Sequence, residues 1–207
     1  MESRVETALR MLHDFISDKK FAEELGRAKK QFFDTVGAPL PGEPIEELRL
    51  ASFVEWFIFD RTLDRTGRTP VEEFLRLNSN DEDVDLSLFD GFTGAVRGVF
   101  MVTRRKNGDV VLKDLSTGIK YKSVRRVPQS FGKGDIAELR LVLNGEGTFA
   151  TDALCYHPYW AKKNIRKMMK KAKKEGRPVD EVLDTLMAMN TRFEHYPKTA
   201  KKRAYES

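Results

Sequence analysis

The densest run of side chains able to bind a ligand is a cluster of cations within residues 162–174. Eight of these thirteen positions are lysine or arginine. Because like charges repel one another, an external counter-charge is favourable there. On a helix the cluster spreads over the surface opposite an apolar stripe, and such a surface can follow a phosphate backbone. We therefore predict binding of DNA or RNA at Lys162, Lys163, Arg166, Lys167, Lys170, Lys171, Lys173 and Lys174.

Aromatic residues stand at the start of this basic segment. Tyr156, Tyr159 and Trp160 could stack on bases, although a tryptophan beside a helix start more often belongs to the core. Two other interpretations of the cluster stay open. It could be a solvated face that keeps the protein soluble, or a surface for an acidic protein partner or an anionic lipid.

A second set of cations lies near the turns of a segment rich in strand-forming residues. Small β-barrels commonly bind nucleic acids or peptides. Four arginines therefore join the candidate nucleic-acid-binding residues, namely Arg104, Arg105, Arg125 and Arg126. The sequence does not tell whether they share a face with the cluster at 162–174. Charged residues on edge strands also prevent aggregation, and that explanation is equally good.

The chain has two potential metal ligands close together, Cys155 and His157. A tetrahedral zinc site needs two further ligands, and the remaining histidines are His13 and His195. We therefore expect Cys155 to be a small buried apolar residue. The acidic stretch at 81–85 does not fit an EF-hand loop, since the required glycine and glutamate are missing from their positions. No metal and no cofactor are expected.

Sequence signatures of common enzymes are missing. There is no G-x-S-x-G, no H-E-x-x-H, no Walker loop and no G-x-G-x-x-G. Asp60 and Asp64 lie one helical turn apart, but arginines surround them, so ion pairing is the better explanation. We predict a non-enzymatic binding protein. The alternatives are a protein–protein adaptor that uses the β-barrel or the methionines of the last helices, and an enzyme with an unrecognised site.

Charge is distributed unevenly along the chain. The net charge is +5 overall, but residues 1–83 carry −6, residues 84–155 carry +3 and residues 156–207 carry +8. This asymmetry predicts an acidic scaffold with a basic arm. A single cysteine excludes an intramolecular disulfide. The first residues lack a secretory pattern and no stretch approaches the ~20 apolar residues of a membrane span, so we predict a soluble, cytoplasmic protein.

Apolar periodicity predicts an α+β protein built from three units. Residues 1–83 form a helical unit with four helices, because apolar residues recur there at helical spacing. Residues 84–155 contain five short strands separated by turns, typical of a small five-stranded β-barrel, SH3-like or, as an alternative, OB-like. Residues 156–196 form a basic helical hairpin, and residues 197–207 are expected to be a flexible tail.

Three segments carry a resemblance to known sequences. They are the WF-x-FD motif at 56–60, the G-x-TP motif at 67–70 and the L-x-D-L-x-TG hairpin at 112–118. Together they resemble a group of uncharacterised bacterial proteins over about residues 50 to 145, in which a helical segment precedes a small β-module. Some members of that group carry a SEC-C metal-binding tail. Here Cys155 stands alone, so the resemblance implies an arrangement and no metal role.

Overall fold

The computed structural model describes residues 3–196 and 201–205 and is an α+β fold with one antiparallel sheet. The α-helices are α1 (Arg4–Ile16), α2 (Ala22–Val36), α3 (Glu46–Phe59), α4 (Pro70–Leu77), α5 (Lys162–Glu175) and α6 (Val179–His195). The strands are β1 (Val96–Lys106), β2 (Asp109–Asp114), β3 (Lys120–Tyr121), β4 (Ile136–Asn144) and β5 (Gly147–His157). The predicted α+β class is confirmed.

The N-terminal helices begin where the sequence provides capping residues. The Thr69 hydroxyl accepts from the backbone N–H of Glu72, and the Glu72 carboxylate accepts from the backbone N–H of Thr69 at 2.8 Å. Ser3 and Glu6 make the same reciprocal pair at the start of α1. Each capping box satisfies backbone donors that a helix leaves unpaired at its first turn. Local sequence therefore fixes these two helix starts before any packing.

The sheet has the strand order β3-β2-β1-β4-β5, and every neighbouring pair is antiparallel. The turn between β1 and β2 consists of Asn107 and Gly108, both with positive φ, as a two-residue hairpin requires. Register shifts interrupt the β1–β2 and β4–β5 ladders once each. Such bulges increase the local twist of a sheet and let it curl.

Strand pairing does not close the sheet into the expected barrel. The edge strands β3 and β5 are not paired with each other, and β3 has only two residues, too few to span the gap. The chain after β3 makes one isolated bridge to β5 instead. The backbone N–H of Arg125 donates to the carbonyl of Thr148 at 2.9 Å, and that of Ala150 donates to the carbonyl of Arg125 at 3.0 Å.

The two faces of the sheet bury different kinds of residue. One face holds an apolar cluster that includes Phe100, Leu112 and Leu139. The opposite face packs against α3 and α6 and contains both apolar residues and buried charges, among them Glu138 and Arg140. Successive side chains of a strand point to opposite faces. The alternation along β4 therefore separates an apolar core from a charged layer.

The C-terminal part of the chain packs α5 and α6 together and returns to the sheet. Residues 201–205, expected to belong to a flexible tail, form a short 3-10 helix against α6. Ala204 and Tyr205 are buried there, because Tyr205 packs between Trp160 and Phe193. The rest of the expected tail, 197–200 and 206–207, lies outside the described residues.

The three units expected from the sequence contact one another extensively. Helix α3 packs on β5, and α2 packs on α6. One apolar cluster combines residues of the first unit with Phe149 and Cys155 of the sheet and Met187 of α6. In the part of the chain that the structure describes, no helix is both long enough and apolar enough to cross a lipid bilayer.

Two glycines with the same backbone angle give a test of how the connection into the sheet is packed. Gly91 and Gly42 have φ of 80° and 78°. A Cβ at Gly91 would lie 2.0 Å from the carbonyl oxygen of Leu143, whereas a Cβ at Gly42 would meet nothing within 4 Å. We expect Gly42→Ala to lower the free energy of unfolding by about 1–2 kcal/mol through the left-handed conformation alone. Gly91→Ala should lower the free energy of unfolding by about 3 kcal/mol or more, because the new methyl group also overlaps the backbone of Leu143.

Urea denaturation of the two variants beside the parent chain measures both values. Equal destabilisation by Gly91→Ala and Gly42→Ala would contradict the close approach of the 91 backbone to β4.

Candidate nucleic-acid interface

Helix α5 carries most of the predicted cations and has one buried stripe. Pro158 and a 3-10 turn at Tyr159–Ala161 lead into the helix, and Gly176 ends it in a left-handed conformation with φ of 67°. The buried side chains are Ile165, Met169 and Ala172, at the spacing of one helix face. This stripe holds the helix against α6, so the opposite surface must face solvent.

The cations of α5 lie on that solvent-facing surface. Lys162 is half-buried and the other seven are exposed. Among the described residues, the one ion pair made by these eight side chains joins Lys171 to Glu175 at 3.9 Å. The ammonium of Lys162 lies 5.6 Å from the centre of the Tyr159 ring. Within residues 3–196 and 201–205, most of this charge therefore has no carboxylate partner.

A groove of about 890 Å³ lies along the first turns of α5. Its walls are Tyr159, Trp160, Asn164 and the cations from Lys162 to Lys170. Aromatic rings and cations that share one groove are the combination that single-stranded nucleic acids use for stacking and for phosphate contacts. The structure thus brings two of the predicted aromatics, Tyr159 and Trp160, and five of the eight predicted cations of α5 together in this groove.

The aromatic residues at the start of α5 differ in their exposure and packing. The Tyr159 side chain is 64% exposed. A Cβ at Gly134 would lie 3.4 Å from Cε2 of Tyr159, so this ring rests on the backbone of the 132–134 turn. Trp160 is anchored on its inner side, with its ring 5.5 Å from that of Tyr205. Tyr156 packs against Phe131 and does not line the groove.

The start of α5 is electrostatically unusual. Its first turn contains Lys162 and Lys163 and no acidic residue, and Ala161 at the N-cap offers no side-chain acceptor. The N-terminus of a helix carries a partial positive charge, which ordinarily attracts acidic side chains. Lysines add to that positive potential here. The combination raises the potential in the groove and favours an anion such as phosphate.

The four arginines of the sheet region have partners within the chain. Arg104 pairs with Asp109 and Arg126 pairs with Asp152. Arg105 donates to the carbonyls of residues 127 and 128. The guanidinium of Arg125 lies 5.3 Å from the centre of the Phe149 ring. The pair of Arg104 joins β1 to β2, and the contacts of the other three arginines hold the loop after β3. None of the four lines the groove on α5.

The methionines considered for a partner groove are turned inward. Met169, Met187 and Met189 are each less than 5% exposed and Met168 is half-buried. They fill the interior between α5, α6 and the rest of the chain. A docking surface lined by these methionines would require this interior to open.

Charged residues fill the layer between the sheet and the helices. The guanidinium of Arg97 donates to Glu138 at 2.7 Å and to Asp184 of α6 at 2.8 Å. Arg140 donates to Asp60 at the end of α3 at 2.5 Å. Sequence analysis missed this layer. The signal was present in β4, where Glu138 and Arg140 interrupt an otherwise apolar strand at alternate positions.

Glu55 of α3 completes the charged layer on the side of β5. Its carboxylate accepts from the Thr151 hydroxyl at 2.7 Å and from the backbone N–H of Ala153 at 2.8 Å. Burial raises the pKa of Glu55, and the guanidinium of Arg140 nearby opposes that rise. These contacts dock α3 onto β5.

Three residues of the same layer could hold a metal ion. One potential ligand atom from each of Glu138, Cys155 and His157 lies within 4.8 Å of the other two. Burial raises the pKa of the Cys155 thiol to about 11 and lowers the pKa of His157 to about 3. Burial also raises the pKa of Glu138, against the attraction of Arg97. Sequence analysis had paired Cys155 with His157 but had not found the carboxylate.

Comparison of this chain with models of protein families, with curated proteins and with solved structures finds no match.

The buried ion pairs give a stability prediction. Arg97→Met should lower the free energy of unfolding by about 3–5 kcal/mol, because it leaves Glu138 as an uncompensated buried charge. The double variant Arg97→Met with Glu138→Gln should lose less stability than Arg97→Met alone, because the buried amide of glutamine carries no charge. Arg104→Met is the control, because its pair with Asp109 is exposed, and we expect a change within about 0.5 kcal/mol. Chemical denaturation measures all three variants. A double variant less stable than Arg97→Met would contradict this account.

Proposed function

We propose that the protein is a non-enzymatic nucleic-acid-binding protein and that the groove along α5 binds the phosphate groups. The observation that carries this proposal is the groove itself. Cations that are mostly exposed and have no carboxylate partner among the described residues line one surface together with an exposed aromatic ring. A solvated face that serves solubility alone does not require an exposed Tyr159 beside these cations.

The proposed contact is electrostatic and independent of sequence. Lysine and arginine side chains that neutralise phosphates release condensed counterions, so affinity falls as the salt concentration rises. The slope of log K against log salt is about −0.9 per phosphate on duplex DNA and about −0.7 per phosphate on single strands. Binding in a cytoplasmic setting is part of the proposal.

The aromatic ring favours single strands over duplexes. Every base has a face on which an aromatic ring can stack once the base is unpaired. In a duplex the bases are stacked on one another, so Tyr159 would have no partner there. We therefore expect single-stranded RNA or DNA to bind more tightly than a duplex of equal length.

Charge reversal tests the cationic surface. The variant replaces four exposed lysines of α5 by glutamate and keeps Arg166, and its positions are Lys163, Lys167, Lys170 and Lys174. We expect it to lose binding to a labelled 12-mer single strand, as measured by fluorescence anisotropy. The matched control makes the same charge change at four exposed lysines elsewhere, at Lys19, Lys29, Lys106 and Lys122. The control should keep most of the binding, because local contacts with phosphate outweigh net charge.

Equal binding by the α5 variant and the parent chain would overturn the proposal. Equal losses in both variants would show that net charge alone acts, which also contradicts a specific groove. A ligand that survives nuclease treatment and still needs the α5 lysines would instead be an acidic protein.

Removal of the stacking ring tests the second half of the groove. Tyr159→Ala should weaken single-strand binding by about 5- to 100-fold, since stacking contributes about 1–3 kcal/mol per base. Duplex binding should change little, because a duplex offers no free base face. Tyr196→Ala is the control, as Tyr196 is also exposed but lies at the end of α6. A Tyr159→Ala loss of the same size on duplex and single strand would contradict stacking.

The structural relationship of the sheet to small β-barrels is a further part of the proposal. We relate it to small SH3-like barrels, with the OB-like form as the alternative. The bridge between Arg125 and Phe149 supports this relation, since it joins the two ends of the curled sheet. The resemblance of residues 50–145 to uncharacterised bacterial proteins stays a proposal about arrangement.

A further inference from the structure

Strand register brings three potential metal ligands to one place. Glu138 of β4 is the direct cross-strand partner of Cys155 of β5, and His157 lies two residues further along β5. Side chains two residues apart on a strand point to the same face. The three residues therefore meet on the face that packs against the helices. Their potential ligand atoms lie within 4.8 Å of one another.

Two of these side chains have polar atoms without a partner. Oε2 of Glu138 and Nε2 of His157 are buried and make no hydrogen bond to any described residue. The two residues are 3% and 5% exposed. A buried polar atom left unsatisfied costs about 1–3 kcal/mol. Two such atoms in one cluster leave lone pairs available to a ligand or to an ordered water.

The other nitrogen of the imidazole is already engaged. Nδ1 of His157 lies 2.8 Å from the hydroxyl of Tyr205. In the tautomer with the proton on Nδ1, that nitrogen donates to Tyr205 and leaves the lone pair of Nε2 for a cation. Histidines that bind metals ordinarily make this kind of second hydrogen bond, which fixes the ring and its tautomer. Tyr205 thus acts as a positioning residue.

We propose that Glu138, Cys155 and His157 bind one divalent cation of the zinc class. A thiolate and an imidazole favour zinc or cobalt, whereas magnesium and calcium prefer oxygen ligands. Bond lengths of about 2.0–2.3 Å place tetrahedral ligands about 3.3–3.8 Å apart, so the side chains close in by about 1 Å. A cavity of about 20 Å³, which Glu138 and Cys155 help to line, offers room for a water-sized fourth ligand.

The net charge of the surrounding layer is compatible with a divalent cation. The charged layer that contains the site has three guanidinium groups and four carboxylates, those of Arg49, Arg97, Arg140, Glu55, Asp60, Glu138 and Asp184. The layer has one negative charge in excess when all are ionised. Binding forms a metal–sulfur bond while the thiol proton of Cys155 leaves to solvent. The cation and the thiolate together then make the layer neutral.

The site is structural and separate from the groove on α5. All three ligands are at least 95% buried. The cation would join β4 to β5 and, through Tyr205, hold the 201–205 turn in place. Because the folded chain binds the ion and the unfolded chain binds it less well, the ion should raise Tm.

Cobalt titration of the full chain, freed of metals by a chelator, tests the proposal. The chain has one cysteine, so any thiolate-to-cobalt charge-transfer absorption comes from Cys155. We expect one equivalent of Co²⁺ to produce this band, with the intense visible bands of tetrahedral cobalt. One equivalent of Zn²⁺, added to the cobalt-loaded chain, should remove these bands. Added to the metal-free chain, Zn²⁺ should release a proton and raise Tm. A folded chain that gives no such band would overturn the proposal.

Variants assign the ligands and the positioning residue. Glu138→Gln and His157→Gln should each weaken cobalt binding strongly, and His195→Gln, at an exposed histidine on α6, should leave it unchanged. Tyr205→Phe keeps the ring but loses the hydroxyl, so it should bind cobalt about 10- to 100-fold more weakly with the same band shape. If folded Glu138→Gln and His157→Gln bind cobalt as tightly as the parent chain, Cys155 alone binds the ion and the proposed site is refuted.

Discussion

The charges buried between the sheet and the helices are the constraint on which the rest of the structure depends. A charge removed from water is tolerated only if it is paired and hydrogen-bonded. Arg97 therefore requires Glu138 beside it and Asp184 from α6, and Arg140 requires Asp60 at the end of α3. Apolar packing has little directional preference, whereas these hydrogen-bonded ion pairs add a fixed geometry to the packing. They set where α3 and α6 lie on the sheet.

The same rule divides the cations of this protein into two groups. Arg97, Arg126 and Arg140 lie near carboxylates of other segments, so their charge is neutralised within the fold. The lysines of α5 lie on a helix whose buried face is wholly apolar, and within the described residues they find almost no carboxylates. Charge that the fold does not use is available to an external polyanion. This division, more than the net charge of +5, points to α5.

Sequence patterns predicted the elements well where local signals decide. Capping residues such as Thr69 and the stop at Gly176 mark helix ends, and Asn107-Gly108 marks a hairpin. The cations of α5 could be named from spacing alone, because a helix with one apolar stripe must expose its other side. The prediction failed for closure of the sheet and for the 201–205 turn. Both depend on contacts between residues far apart in the chain, which periodicity does not report.

The sequence by itself determined which segments are helices, which are strands and which helix carries exposed positive charge. These properties follow from interactions within a few residues of the chain. Only the tertiary structure decided that Glu138 meets Cys155 and His157, and that Tyr205 packs against Trp160. Strand register and helix docking make those neighbours. They are fixed by the burial of many side chains at once, so no local pattern contains them.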